Sequence, residues 1–207
     1  LVLIGGQQQL RRMVNACLRV GCESVTCAVR EDLAAQAERV LVGLNVAVVP
    51  VRTATSLHTL EIGLRSVPVG DVLCTLIDTV MPGTDWDAAH RAAVSALRSA
   101  DAVVAVTPFV DDESPLWAAV APDGTVMGFG RRIEPAVVTG GVYWFGPRAR
   151  TAAAVAVESG VMRLRGFLAR LVETRHRVCA VQVRQIVDVD TSADLDAALA
   201  LVDKEET

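Results

Sequence analysis

The sequence lacks the basic excess that nucleic-acid-binding proteins use. Its 20 lysines and arginines are outnumbered by 24 aspartates and glutamates, which gives a formal net charge of −4 at pH 7. Proteins that follow a phosphate backbone need a basic stripe or patch to hold it. The charge balance therefore argues against a nucleic acid as the partner of this chain.

A long apolar run is also absent. Hydrophobic residues make up 52% of the chain, but they form many short runs, whereas crossing a bilayer takes roughly 18 to 20 consecutive apolar residues. Leu1 to Ile4 is too short for the apolar core of a secretory signal, and Arg11 and Arg12 follow it instead of preceding it. We therefore predict a cytoplasmic protein without a membrane partner.

Cysteine and histidine show no pattern typical of metal ligands. The five cysteines are odd in number, lie in apolar settings and include no C-x-x-C pair, which favours reduced, mostly buried thiols. His58, His90 and His176 are far apart and lack zinc-ligand spacing. We interpret them as surface histidines.

The apolar residues that are present alternate between strand-like and helix-like spacing. Strands are predicted at 24–29, 45–49, 72–77 and 102–106, and helices at 10–18, 31–41, 53–65 and 85–97. Continuous apolar strands separated by helices are typical of a mainly parallel sheet that is covered on both faces. The sequence therefore predicts an α/β fold, and the absence of repeats and linkers predicts a single domain over 1–207.

The second half of the chain predicts a departure from this regular alternation. The segments 116–121 and 125–129 are joined by Pro122-Asp123-Gly124, whose turn chemistry predicts an antiparallel hairpin. A strand at 136–145, helices at 147 onwards and 162–173, a strand at 177–183 and a helix at 193–202 follow. Thr191 and Asp194 resemble a capping box for the last helix.

Three aspartates stand where strands are predicted to end. Asp78 follows the apolar run 72–77, and the carboxyl ends of strands are where open α/β sheets bind their ligands. Asp188 and Asp190 are two residues apart, so in an extended segment they point the same way. Mg²⁺ takes one or two protein carboxylates and completes its shell with water and phosphate oxygens. The alternative is that these aspartates belong to turns or, for Asp190, charge the start of the last helix.

Three segments together resemble the NTP-transferase superfamily, the sugar-phosphate nucleotidyltransferases. They are 76–80 (Leu-Ile-Asp-Thr-Val), 140–147 (Gly-Gly-Val-Tyr-Trp-Phe-Gly-Pro) and 187–195 (Val-Asp-Val-Asp-Thr-Ser-Ala-Asp-Leu). The resemblance extends over nearly the whole chain, and 53–57 (Thr-Ala-Thr-Ser-Leu) is most similar to the phosphocholine cytidylyltransferase branch. It implies a three-layer α/β/α, Rossmann-like nucleotidyltransferase fold with a mainly parallel sheet and an antiparallel hairpin element.

The resemblance also implies roles for individual residues. Asp78 and Asp190 correspond to the catalytic, Mg²⁺-binding aspartates, and Asp188 assists them. The residues that correspond to the acceptor pocket are Gly140, Gly141 and Tyr143, and those that approach the base or ribose are Thr53, Thr55 and Ser56. For these six the structural alternative stays open, since glycine also relieves packing in strands and Thr or Ser also caps helices.

The implied reaction is the transfer of an NMP unit from an NTP to a small phosphorylated acceptor, either a sugar-1-phosphate or an amino-alcohol phosphate, with release of pyrophosphate. Mg²⁺ is the implied cofactor, and a homo-oligomer is left open. Because a phosphate oxygen attacks the α-phosphorus directly, the chemistry needs alignment and charge neutralisation more than a Ser/His pair.

The family pattern is not complete in this sequence. The resemblance implies a first strand, a glycine-rich loop with a basic residue and then a lysine, and residues 1–207 contain none of these in order. Leu1 to Gly6 aligns just after that lysine; in the alternative alignment, Leu1 to Ile4 is itself the first strand. A noncatalytic nucleotide- or sugar-nucleotide-binding relative is therefore the second hypothesis. A glycosyltransferase is the third, but Asp78 to Val80 lacks its D-x-D pair.

Overall fold

The computed structural model describes residues 2–110, 114–130, 132 and 134–203. Within these ranges the strands are β1 (Leu3–Ile4), β2 (Gln7–Gln8), β3 (Val25–Arg30), β4 (Val46–Val51), β5 (Val72–Thr75), β6 (Thr79–Val80), β7 (Ala102–Thr107), β8 (Trp117–Val120), β9 (Val126–Phe129), β10 (Val137–Phe145), β11 (Val178–Gln182) and β12 (Val187–Asp188). The α-helices are α1 (Gln9–Arg19), α2 (Ala34–Leu41), α3 (Ser56–Arg65), α4 (Gly83–Leu97), α5 (Pro147–Glu158), α6 (Leu164–Glu173) and α7 (Ser192–Asp203).

A six-stranded sheet forms the centre of the fold. β10 pairs antiparallel with β5 and β8 and, on its other side, with β7, which pairs parallel with β11. Strands β5, β7 and β11 therefore share one direction, as do β3 and β4 in a separate pair, and β10 is reversed between β5 and β7. The predicted α/β class with a mainly parallel arrangement is confirmed, and β8 with β9 is the predicted antiparallel hairpin.

Helices cover both faces of the central sheet because the side chains of its strands alternate between two cores. On β7, Val104 and Val106 pack with α3, α5 and α6, whereas Val103 and Ala105 pack with α1 and α4. All six residues of β7 are buried. The predicted three-layer α/β/α architecture follows from this alternation.

β3 and β4 form a second, smaller parallel sheet. β3 is hydrogen-bonded only to β4, and β5 only to β10, so each has an edge without a partner strand among the described residues. α1 packs against both sheets: Leu10 and Val14 contact the β3–β4 side, and Met13 and Ala16 join the core around Trp86. Cys17 on α1 lies near Cys27 on β3 and Cys74 on β5. The two open edges therefore flank the same stretch of α1.

The first residues do not enter either of these sheets. β1 and β2 form a tight hairpin around Gly5 and Gly6, whose φ angles of +54° and +72° suit glycine at both turn positions. Ile4 packs instead against Val80, Val187 and α7. The alternative alignment, in which Leu1 to Ile4 is the first strand of the sheet, is therefore wrong.

The strand before Asp78 is shorter than predicted. β5 ends at Thr75 instead of continuing to residue 77, and Asp78 lies with Ile77 in the turn that leads to β6. The cause lies in β10, whose pairing register with β7 shifts between Thr139 and Tyr143. The amide of Leu76 donates to the carbonyl of Gly141 inside this irregularity, and the regular ladder ends there.

Candidate active site

A two-residue ribbon brings the distant aspartates together. β6 pairs antiparallel with β12, so that Thr79 lies opposite Asp188, and the amide of Val189 donates to the carbonyl of Asp78 over 3.0 Å. Val80 and Val187 anchor the ribbon in a small apolar cluster with α7. The ribbon therefore brings the backbone of Asp78 close to that of Asp188, although the two residues are far apart in the sequence.

The carboxyl group of Asp188 lies close enough to that of Asp78 to lower its pKa. Burial raises the pKa of Asp78 above its ordinary value, and the negative charge of Asp190 raises it further. The carboxyl of Asp188 and the backbone amides of Asp78 and Thr79 oppose this rise. Oδ1 of Asp78 is buried and accepts no hydrogen bond from a described residue. Clustered carboxylates with an orphaned buried oxygen suit a bound cation.

Asp190 takes a different position from that of Asp188. Asp190 is exposed, and its negative charge acts on Asp78 through space. The start of α7 is capped by other residues: Asp194 accepts hydrogen bonds from the amides of Asp190 and Thr191, and Thr191 Oγ1 accepts one from the amide of Asp194. The predicted capping box is confirmed, and it leaves the carboxylate of Asp190 out of the cap.

Gly140 and Gly141 allow β10 to approach the ribbon. A Cβ atom at Gly140 would overlap the side chain of Ile186, and one at Gly141, whose φ is +74°, would overlap the hydroxyl of Thr79. This supports the packing explanation for both glycines. Tyr143 is 3% exposed and stacks on Phe145, and burial raises the pKa of its hydroxyl. A role for the three residues in binding the acceptor stays a prediction.

Thr53, Thr55 and Ser56 form the entry to α3. Thr55 is the N-cap of this helix and accepts a hydrogen bond from the amide of His58, while Thr53 and Thr59 share a hydrogen bond between their hydroxyls. Ser56 Oγ accepts from the amide of Leu164 and so ties α3 to α6. These contacts give the three residues a structural role, and their predicted contact with the base or ribose stays a prediction.

Sequence reasoning missed two residues that hold the ribbon. Gln9 on α1 donates from Nε2 to the carbonyl of Thr79 over 2.7 Å, and the Thr79 hydroxyl donates to the carbonyl of Gly140 over 3.1 Å. A cavity of about 250 Å³ opens beside them between α1 and α4, with Arg12 and Arg19 in its lining. One feature of the sequence could have identified Gln9: it is a polar residue beside Leu10 at the start of an apolar helix face, where a buried amide needs a hydrogen-bond partner.

The residues available for a metal are few. In the part of the chain that the structure describes, no three His, Cys, Asp or Glu side chains form a group arranged to hold a metal ion. Asp78 and Asp188 offer two adjoining carboxylates. That number fits a hard cation that keeps most of its shell for water and phosphate oxygens, and it does not fit a fully protein-enclosed site.

Solved structures of nucleotide-transferring enzymes share this fold. The inositol-1-phosphate CTP transferase of T. maritima is similar over 99% of this chain and 86% of its own, with a TM-score of 0.82 and 16% identity. A CMP:2-keto-3-deoxy-manno-octonic acid synthetase complexed with CTP matches 99% of this chain and 91% of its own (TM-score 0.77, 14% identity). The nucleoside-diphosphate-sugar pyrophosphorylase of Vibrio cholerae RC9 matches 96% and 90% (TM-score 0.66, 13% identity).

At these identities the similarity establishes the fold. The predicted resemblance to the nucleotidyltransferases is confirmed at that level. The amino-acid sequence itself matches no protein-family profile and none of the curated proteins with which it was compared. Among the described residues, no helix combines the length and the apolar character needed to span a bilayer.

Proposed function

We propose that this chain is the nucleotide-transferring domain of an Mg²⁺-dependent nucleotidyltransferase. It would join an NMP unit from an NTP to a small phosphorylated acceptor, a sugar-1-phosphate or an amino-alcohol phosphate, and release pyrophosphate. The observation that carries the proposal is the β6–β12 ribbon, which brings Asp78 close to Asp188 and leaves Oδ1 of Asp78 buried and without a hydrogen bond from a described residue. The enzymes that share the fold and bear nucleotidyltransferase names support it.

In this proposal Asp78 and Asp188 hold the cation, and the more exposed Asp190 adds negative charge beside it. The metal, when bound, neutralises charge on the NTP phosphates. The ribbon fixes the two carboxylates before substrate arrives, so little reorganisation is needed when charge develops at the α-phosphate. An oxygen of the acceptor phosphate attacks the α-phosphorus in line, and the bond to pyrophosphate breaks. The protein's main task is to align two anions that repel each other.

The triphosphate also needs a cradle of backbone amides and a cation. The glycine-rich loop and lysine that the resemblance implies do not occur in residues 1–207, so catalysis requires that a segment outside these residues supply them. The unpartnered edges of β3 and β5, which flank the same stretch of α1, offer a place for such a segment to join the sheet.

A noncatalytic nucleotide- or sugar-nucleotide-binding module is the second candidate, because the shared fold would also serve binding without transfer. The two candidates differ in turnover. With the product of the complete gene, a thermal-shift screen of the four NTPs with Mg²⁺ detects binding. Pyrophosphate release with a panel of sugar phosphates and amino-alcohol phosphates detects transfer. Binding without release for every acceptor would favour the module.

The decisive variant is Asp78→Asn, which keeps the shape of the side chain and removes its charge. We expect pyrophosphate release to fall by at least about 100-fold, the order seen when electrostatic stabilisation of a transition state is lost. Asp196→Asn, on an exposed position of α7, is the matched control and should keep full activity. Unchanged turnover in Asp78→Asn would reject the proposed site.

The same variant should not be less stable than the parent protein at neutral pH. Burial raises the pKa of Asp78 in the folded state, so the protonated carboxyl is favoured there. The stability that this protonation gives is fully present below the ordinary carboxyl pKa and is lost as the pH rises through the raised pKa. An asparagine carries no charge to bury, so Asp78→Asn should have the larger free energy of unfolding at pH 7. The difference, measured by urea unfolding without metal, should vanish below about pH 4. A marked loss of stability in Asp78→Asn at pH 7 would mean that Asp78 stabilises the fold and is not a catalytic residue.

A further inference from the structure

The course of the chain at Asp78 is fixed from three different elements. The carbonyl of Asp78 accepts a hydrogen bond from Val189, just beyond β12, and the carbonyl of Thr79 accepts one from Gln9 on α1. The hydroxyl of Thr79 donates to Gly140 on β10. Together these bonds hold the backbone on which the Asp78 carboxylate is mounted.

Gln9 is an unusual residue for its position. It is only 4% exposed and is followed on the inner face of α1 by Leu10, Met13 and Val14, which are buried and apolar. A buried amide is costly unless it is hydrogen-bonded, so packing alone does not explain a glutamine here. Its bond to Thr79 satisfies the donor half of the amide and links α1 to the ribbon.

Thr79 is fully buried, and its surroundings are built around its hydroxyl. Gly141 lacks the Cβ atom that would overlap Oγ1 of Thr79, and the carbonyl of the neighbouring Gly140 receives the hydrogen bond from this oxygen. A valine would fill the same volume without the donor. The Thr79 hydroxyl therefore links the ribbon to the irregular part of β10.

We propose that Gln9 and Thr79 are positioning residues for the Asp78–Asp188 pair, a role that rests on the proposed function. The side chains of Gln9 and Thr79 bond to backbone carbonyls, and the backbone amide of Thr79 lies beside the Asp78 carboxylate. They act through the backbone at 78–79 and keep Asp78 against Asp188. Loss of either bond lets this segment shift, which lowers the rate of transfer more than it weakens NTP binding.

Two variants test the role in the product of the complete gene. Gln9→Met keeps the side-chain length and removes the donor, and Thr79→Val keeps the volume and removes the hydroxyl. Thr79→Ser retains the hydroxyl and is the conservative rescue, and Gln7→Met is the matched glutamine control on β2. The readouts are hydrogen exchange at the amide of Val189, exchange at the amide of Val104 in β7, and kcat and KM for the NTP.

We expect Gln9→Met and Thr79→Val to speed exchange at Val189 by at least about tenfold, as for local opening, with Val104 unchanged. The kcat should fall by about 10- to 100-fold, the loss typical of residues that orient a metal ligand, with KM changed by less than about twofold. Thr79→Ser and Gln7→Met should resemble the parent protein in all three readouts.

Three results decide the outcome. Unchanged exchange at Val189 in both variants overturns the positioning role whatever the activity. Equal acceleration at Val189 and Val104 also overturns it, because the two residues would then only stabilise the whole domain. If the parent protein transfers no nucleotide but exchange rises at Val189 alone, the proposed function fails and the positioning role stands.

Discussion

Strands β7 and β3 are both six residues long and rich in valine and alanine, yet their surroundings differ. β7 has a hydrogen-bonded neighbour on each side and helices on both faces, and all six of its residues are buried. β3 has one neighbour, five of its residues are half-buried and the sixth is exposed. The composition of a strand therefore says little about its stability, which depends on how many neighbours the fold provides.

Amide exchange should separate the two strands most strongly. With β4 as its only partner strand among the described residues, every second amide of β3 points to the open edge, whereas β7 is bonded on both sides. We expect β7 to exchange near the limit of global unfolding and the open-edge amides of β3 to exchange at least about 1,000-fold faster. Native-state hydrogen exchange of a protein limited to residues 1–207 measures both strands in one sample. Equal protection would mean that β3 has a partner on this edge in solution.

Removing two methyl groups from each strand gives the next largest contrast. Val104 is fully buried among residues of the larger core, whereas Val29 is half-buried beside α1 and α2. We expect Val104→Ala to lower the free energy of unfolding by about 2–3 kcal/mol and Val29→Ala by about 1 kcal/mol or less. Urea denaturation of the two variants measures the difference. Similar losses would contradict the view that β3 lies in a looser environment.

Ion pairs should follow the same contrast on a smaller scale. Asp85 on α4 is 10% exposed in its side chain and accepts hydrogen bonds from the amide and guanidinium of Arg184, whereas Arg52 and Glu31 form an exposed pair beside β4. We expect Asp85→Ala to cost about 1 kcal/mol, because the amide of Arg184 loses its acceptor while the exposed guanidinium can turn to water, and Arg52→Ala less than about 0.5 kcal/mol. Thermal unfolding of the two variants checks the order, and a larger loss in Arg52→Ala would reverse it.

The smallest expected difference is in the reactivity of two cysteine thiols, one on each strand with an open edge. Burial raises the pKa of Cys27 on β3 to about 11 and that of Cys74 on β5 to about 12. Only the thiolate reacts with an alkylating reagent, so both rates should rise about tenfold per pH unit from pH 7 to 9. Cys27 should react faster than Cys74, because burial raises the pKa of Cys74 further. Mass spectrometry of iodoacetamide-treated protein follows each site; a pH-independent rate would place the pKa lower.

Local patterns in the sequence predicted what depends on local chemistry. The apolar run of β7, the turn at Asp123 and the capping box of Thr191 and Asp194 all appear in the structure. Each depends on residues that are close together in the chain, so spacing alone was enough to identify it.

What the sequence did not predict depends on contacts between distant segments. The early end of β5 comes from the irregularity in β10, and the hydrogen bond from Gln9 to Thr79 joins residues on separate elements. The proximity of Asp78 to Asp188 depends on the pairing of a two-residue ribbon between segments that are far apart in the sequence. No periodicity encodes such a pairing.

The ribbon of β6 and β12 has a consequence for the order of events during synthesis. Its first strand is made before the six-stranded sheet is half complete, and its second is made after every strand of that sheet. The ribbon therefore cannot close until nearly the whole domain has left the ribosome. A nascent chain of this protein can assemble the six-stranded sheet before Asp188 is available to approach Asp78, so the proposed site can form only near the end of synthesis.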